Sequence, residues 1–189
     1  MKLCPLCKDK DSNEIYAEDI NKIHAFLKEK GVGTMLWGEK LLAFFARDGQ
    51  AAGGLERYTD IPHLYIPETY KARDMISKEI EIFHWYWGVN KECEDQLYER
   101  GFTLIFGNFS SIGMDDWKTR HKKGVQGICI SNWSRLDIPH MQRNRILIGL
   151  ALSSMMLWNP EYSEKNFIEN ITEASDILYR FRNHKTLEG

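Results

Sequence analysis

Aromatic and polar residues recur in this sequence in four clusters, each directly after a short apolar run. The clusters are Trp37-Gly38-Glu39, His84-Trp85-Tyr86-Trp87, Gly107-Asn108-Phe109-Ser110 and Asn132-Trp133-Ser134-Arg135-Leu136-Asp137. Four of the six tryptophans fall in them, and Trp37, Trp85, Trp87 and Trp133 are therefore the residues to explain first. An indole face stacks on the apolar C–H face of a sugar ring, and its N–H reaches a hydroxyl or an acetamido oxygen. One tryptophan in such a place is ordinary core packing. Four, with polar residues such as Asn108 interleaved, favour a carbohydrate or another polar ring as ligand. Glu39 and Asp137 are the best-placed carboxylates for binding hydroxyls. Glycoside hydrolysis needs a proton donor and a second group flanking the scissile bond, and nothing in the spacing of Glu39 and Asp137 demands that role. Arg135 either binds ligand or pairs with Asp137 or Glu39, and His84 is either a core histidine or a ligand-binding one. Asp115 and Asp116 precede a helix, where carboxylates serve as caps.

Other chemistries leave weaker traces. Of the four cysteines, Cys4 and Cys7 form one Cys-x-x-Cys, whereas Cys93 and Cys129 stand alone. A structural zinc site usually has two such pairs, or one pair with two close histidines, and His24 is the nearest histidine. A pair of reduced thiols is the reading preferred to a small zinc-binding module. The Asn-x-Ser/Thr triplets at Asn108, Asn132 and Asn170 carry little weight without a secretory signal. There is no nucleophile elbow, Walker loop or dinucleotide-binding glycine fingerprint, and Gly31-Val32-Gly33 precedes a strand rather than opening a helix. No cofactor is expected, and no metal.

The four clusters need elements to position them. A helical period runs from Ala17 to Lys30 and is stopped by Gly31. Strands are expected at Thr34–Trp37, Ile80–Trp87, Phe102–Phe106 and Val125–Ser131. Helices are expected at Glu68–Ser77, from an Asn90 cap to Arg100, at Asp115–Lys123, at Pro139–Trp158 and at Ser163–Asn183. The segment from Leu41 to Ile66, with Gly49, Gly53, Gly54 and Pro62, reads as a long loop, with some helix within it left open. Strands returned by helical crossovers make a parallel sheet, and ligands of such sheets bind at the C-terminal strand ends, where all four clusters lie. Four such units are half of an eight-fold barrel, which typically takes about 250 residues.

With 189 residues and neither repeats nor linkers, the chain reads as a single domain over 1–189, with a cysteine-containing lead-in loop over 1–16. Apolar residues at 43% allow a core, and the net charge of -2 argues against nucleic acid and membrane surfaces as partners. The longest apolar stretch, Ile146 to Trp158, is too short to cross a bilayer, and Met1-Lys2-Leu3-Cys4-Pro5 has no secretory character. A cytoplasmic location is expected.

The segment from Gly127 to Asp137 resembles the last barrel strand of glycoside hydrolase family 20, in particular its hexosaminidase D-like branch, in which a Trp-Ser-Arg-aromatic-Asp ending precedes a long apolar helix. Met35-Leu36-Trp37-Gly38-Glu39 is similar to that family's fifth strand, and Phe83 to Trp87 and Thr103 to Asn108 stand where the sixth and seventh should be. The Cys4 to Cys7 lead-in is also similar to this branch. The resemblance implies an α/β chain forming the C-terminal half of a (β/α)8 TIM barrel, about four βα units with long C-terminal helices. It implies β-N-acetylhexosaminidase chemistry on terminal N-acetylhexosamines, in which the substrate's acetamido group is the nucleophile. Tryptophans wall the acetamido pocket in that family. Trp37, Trp85 or Trp87, and Trp133 match such positions, with Glu39, Arg135 and Asp137 as hydroxyl binders and Asn108 at the seventh strand end. The family's catalytic Asp-Glu pair ends its fourth strand, which would precede Met1, and nothing in this chain replaces it. Arg135 stands where many members carry a hydroxyl-binding Glu. The expectation is a substrate-binding half without catalytic residues of its own, either completed by a missing N-terminal half or self-associating. The alternative is a non-catalytic sugar-binding or self-assembling half-barrel.

Overall fold

The computed structural model describes residues 5–59, 61, 64–112, 114, 116–159, 161–162 and 166–183. By internal contacts the chain falls into two compact units, Met1–Ile105 and Phe106–Gly189.

The first unit opens with α1, Ser12–Glu29. The Asp11 carboxylate accepts the backbone N–H groups of Asn13 at 2.8 Å and Glu14 at 3.1 Å, a cap worth about 1 kcal/mol. It starts the helix five residues before Ala17, so residues 12–16 belong to the helix and not to the lead-in loop. The apolar period misses this first turn because it is polar, and its polar groups are spent on tertiary contacts. Ser12 Oγ donates to the Glu68 carbonyl at 2.5 Å, and Asn13 Oδ1 accepts the Lys71 N–H at 2.9 Å. Gly31, at φ 70°, closes the helix.

Strand β1, Met35–Trp37, follows, and then a 3-10 turn over Gly38–Leu41. The expected loop from Leu41 to Ile66 instead contains two antiparallel ribbons. One pairs β2, Ala43–Phe45, with β3, Ala51–Gly53, and the other pairs β4, Arg57–Tyr58, with β5, Tyr65–Ile66. Strands of two or three residues are too short to show a period of two. In place of the expected helix Glu68–Ser77 there is one 3-10 turn, Tyr70–Asp74. The N–H groups of Thr69 and Tyr70 are taken by the Gly54 carbonyl. Strand β6, Glu81–His84, stops short of Trp87 because Tyr86–Gly88 turns into another 3-10 element. Helix α2, Glu92–Tyr98, is preceded by the expected asparagine, whose Oδ1 accepts the Glu92 N–H at 2.9 Å. The core of this unit consists of Leu41, Leu42, Ile80, Ile82, Cys93, Leu97 and Leu104, all fully buried. Strand β7, Leu104–Phe106, carries the chain across the division between the units.

The second unit continues with α3, Trp117–Lys123, ended by Gly124 at φ 108°. Asp115 lies outside the described residues. The Asp116 carboxylate makes no capping bond and instead pairs with the buried Arg120 at 2.8 Å. Strand β8, Val125–Ile128, is three residues shorter than expected. Beyond it come α4, Ile138–Arg143, and α5, Ile146–Trp158, where one continuous helix from Pro139 was expected. The break lies at Asn144 and Arg145, the latter in the left-handed region at φ 58°. Helix α6, Phe167–Asn183, packs Ala174 with Ala151 and Leu152 of α5; residues 163–165 at its expected start lie outside the described residues.

Four strands form one sheet in the order β1-β6-β7-β8. The β1–β6 pair is parallel, with Met35 opposite Glu81 and Trp37 opposite Phe83. The chain is thus α/β, with a four-stranded parallel sheet whose strands lie side by side in chain order. Among the described residues no helix is long and apolar enough to cross a membrane.

Candidate functional site

At the end of β1 the backbone is forced into its path by three glycines. A Cβ on Gly38 would lie 2.5 Å from Ile82 Cγ2. Behind the 3-10 turn, a Cβ on Gly53 would lie 2.7 Å from the Leu42 carbonyl, and one on Gly54 would lie 2.4 Å from the Lys40 carbonyl. The turn is fastened by Gly54 N–H to the Leu42 carbonyl at 2.6 Å, Thr69 N–H to the Gly54 carbonyl at 2.7 Å, and Thr69 Oγ1 to the Lys40 carbonyl at 2.9 Å. The product of this packing is a fixed position for Glu39.

The Glu39 Oε2 atom is buried and accepts no hydrogen bond among the described residues. Burial, and then the Glu39 charge, push the Tyr16 hydroxyl up to about 12. The same two causes raise Tyr86, against a smaller opposing effect of Arg57. Aromatic surfaces adjoin. Trp37, 36% exposed, stacks on Phe83 with ring centroids 5.2 Å apart. Trp85 stacks on Tyr86 at 3.7 Å, and Tyr86 meets Phe44 edge-on at 4.5 Å. Trp87 is half-buried in the turn after β6, and His84 is fully buried at the strand's last position, a core histidine by placement. Because β1 and β6 are neighbours in parallel, Trp37, Glu39, Trp85 and Trp87 are brought to adjoining strand ends.

The second unit places the other four predicted residues near one another. Asn108 follows β7 at φ 49°, a conformation asparagine tolerates better than most residues. It displaces the ladder by one residue, so that Cys129 N–H bonds the Phe106 carbonyl at 2.7 Å while Phe109 N–H, not that of Asn108, bonds the Cys129 carbonyl at 2.9 Å. Asn108 Oδ1 accepts the Trp133 indole N–H at 3.1 Å, and the Trp133 ring is 82% exposed. Asp137 caps α4, accepting the His140 N–H at 3.1 Å, and also meets His140 Nδ1 at 2.5 Å and Arg135 Nε at 3.1 Å. Of the two roles open for Arg135, pairing with Asp137 is the one observed. Asn132 bridges the same loop, accepting from Asn144 Nδ2 at 2.8 Å and donating to the Arg135 carbonyl at 3.0 Å.

Sequence reasoning missed Tyr16, Arg57 and the supporting role of Gly53 and Gly54. Two adjacent glycines in an otherwise irregular segment were the one available signal. No group of three or more His, Cys, Asp or Glu side chains suited to a metal gathers among the described residues. Cys4, half of the Cys-x-x-Cys, lies outside them, and Cys7 lines a cavity of about 180 Å³ with Lys8, Lys10, Asp11 and Tyr65. Burial, then Glu94 and Glu92, push the Cys93 thiol up to about 12, so it is an unreactive core group.

No protein-family model matches the chain, and no curated protein sequence matches it. The reading of function therefore rests on the residues themselves. Each unit presents aromatic faces beside carboxylate or amide side chains, groups able to form hydrogen bonds.

Proposed function

We propose that this chain recognises terminal N-acetylhexosamine residues of a carbohydrate, as the substrate-binding half of a hexosaminidase-like (β/α) barrel. The observation that carries the reading is the run of four parallel strands in chain order, each followed by an aromatic or amide cluster. Each crossover advances one strand in the same direction, the winding by which a barrel is built and which an open doubly wound sheet reverses. In this reading Trp37, Trp85, Trp87 and Trp133 supply stacking faces, and Glu39, Asn108, Arg135 and Asp137 bind hydroxyl or acetamido groups. In the sequence no Asp is followed directly by Glu, the adjacent acidic pairs Glu18-Asp19 and Glu94-Asp95 having the reverse order, so the role proposed is binding and not bond cleavage.

The test is titration of the whole chain with N-acetylglucosamine, with N-acetylgalactosamine and glucose as comparisons, alongside an aryl N-acetylglucosaminide as a hydrolysis substrate. Saturable binding of the N-acetylated sugars without turnover is expected. Turnover abolished by Trp133→Ala would overturn the binding-only role, and no binding of any sugar would overturn the reading.

A second reading, self-assembly, is favoured by the two outer strands. In the described sheet β1 pairs with β6 alone and β8 with β7 alone, and a parallel sheet with two unpaired edges invites a partner strand. Two copies would supply the eight strands of a closed barrel. A concentration-independent monomer in light scattering excludes this.

A further inference from the structure

The edge of the sheet where the strands begin holds a second constellation, within the first unit. Thr34 directly precedes β1, and Glu79 lies two residues before β6. His24 of α1 joins them: its Nδ1 is 3.0 Å from Thr34 Oγ1 and its Nε2 is 3.2 Å from Glu79 Oε2. Lys28, one turn further along α1, donates to the Glu79 oxygens at 2.8 and 2.6 Å. The bonds from Lys28 and then His24 hold the Glu79 carboxyl below its usual range, so near neutral pH it is ionised and only accepts. His24 Nε2 therefore carries the proton given to Glu79, and Nδ1 is left to accept from the Thr34 hydroxyl.

A hydroxyl donating to an imidazole whose other nitrogen is held by a carboxylate is the arrangement of a nucleophile, its base and the group that orients the base. A tie that served packing alone would need no access. Here Thr34 and Glu79 line a cavity of about 160 Å³ together with Gly33, Met35 and Glu81. A Cβ on Gly33 would meet nothing within 4 Å, so the approach beside Thr34 is open. The backbone N–H groups of Gly33 and Thr34 donate to no acceptor among the described residues, and are available to the oxygen of an acyl group under attack. We propose that Thr34 is a nucleophile for small acyl esters, with His24 as its general base and Glu79 as the positioning residue. Sites for drug-sized ligands occupy about 300–1,000 Å³, so this cavity suits a short acyl group such as acetyl. The carboxylates of Glu79 and Glu81 on its wall disfavour an anionic one.

In the reaction Thr34 Oγ1 bonds to the ester carbonyl carbon while its proton passes to His24 Nδ1. The bond from that carbon to the alcohol oxygen breaks, and His24 returns the proton to the departing alcohol. Water, giving a proton to the same nitrogen, then releases the acyl group as the acid and restores the Thr34 hydroxyl. Glu79 faces the imidazolium formed in each step. This activity is separate from sugar binding, which concerns the other ends of the strands.

The experiment is incubation of the whole chain with para-nitrophenyl acetate, with nitrophenol release followed by absorbance and the acetylated residue mapped by mass spectrometry after an acid quench. Acetyl on Thr34 is expected, absent in Thr34→Val, retained in Thr34→Ser and formed about a hundredfold more slowly in His24→Gln. Acetylation should also slow as pH falls, because a protonated His24, which faces Glu79 and through it Lys28, cannot take the hydroxyl proton. Glu79→Gln should lower kcat and leave KM in place, a split that a structural role would not produce; an unchanged kcat would overturn its positioning role. Acetyl found on lysines or Cys7 and not on Thr34, or no acetylation at all, overturns the proposal on the unaltered chain, whatever the variants do. Release by Thr34→Val as fast as by the unaltered chain overturns it equally.

Discussion

Replacing Gly54 by alanine puts a methyl group 2.4 Å from the Lys40 carbonyl oxygen and 2.8 Å from the Tyr70 nitrogen. Both are backbone atoms, so no side chain can rotate out of the way. The turn carrying Glu39 must move away from Gly54 by about 1 Å or more to reach an ordinary contact. That movement pulls on the Gly54 N–H bond to Leu42 at 2.6 Å and the Thr69 N–H bond to Gly54 at 2.7 Å. Overpacking of this kind costs about 1–3 kcal/mol, and weakening two hydrogen bonds adds about 1 kcal/mol each. The sum, about 3–5 kcal/mol, is a large part of the roughly 5–15 kcal/mol that holds a typical protein folded. Thermal denaturation followed by circular dichroism should show a midpoint lowered by roughly 10 °C. Gly33→Ala is the control, because a Cβ there meets nothing within 4 Å. A Gly54→Ala protein as stable as the Gly33→Ala one would refute the argument that close backbone packing fixes the Glu39 turn.

Asp137→Ala removes the cap of α4 together with partners of Arg135 and His140, and urea titration should show a loss of about 1 kcal/mol. The Cys93 thiol, pushed up to about 12, should stay inert to a thiol reagent near neutral pH until the chain is unfolded, while the partly exposed Cys7 and Cys129 are open to modification; mass-spectrometric mapping of native labelling on Cys93 would contradict this. Hydrogen bonds from Lys28 and then His24 hold the Glu79 carboxyl below its usual range. A depressed carboxyl stabilises the folded state above the ordinary glutamate range, and that contribution is lost as pH falls through the lowered value. Glu79→Gln should therefore flatten the acid side of the stability profile and leave the alkaline side unchanged.

The four sheet strands were legible because each is an apolar run punctuated by glycine or asparagine, and their crossovers admit only a parallel arrangement. The strand ends then placed Trp37, Trp85, Trp87, Asn108 and Trp133 without further information. What failed to show was local and polar. The first turn of α1 is written in Asp11, Ser12 and Asn13, whose caps and tertiary bonds have no period. The two ribbons between Ala43 and Ile66 are too short for one. The break between α4 and α5 rests on a left-handed Arg145, which nothing in the apolar run Ile146–Trp158 announces. The surroundings of Glu39 were equally hidden, since Tyr16, Gly54 and Tyr86 come from three separate elements and meet only when the sheet is formed.

The central claim, that a sugar is bound by strand-end aromatics, is tested most directly by indole N–H resonances during a titration with N-acetylglucosamine. The account predicts saturable shifts for Trp37, Trp85, Trp87 and Trp133, with no response from Trp117, which is 2% exposed in the core. Silence from all four, or a response confined to the exposed Trp158 on α5, would contradict it.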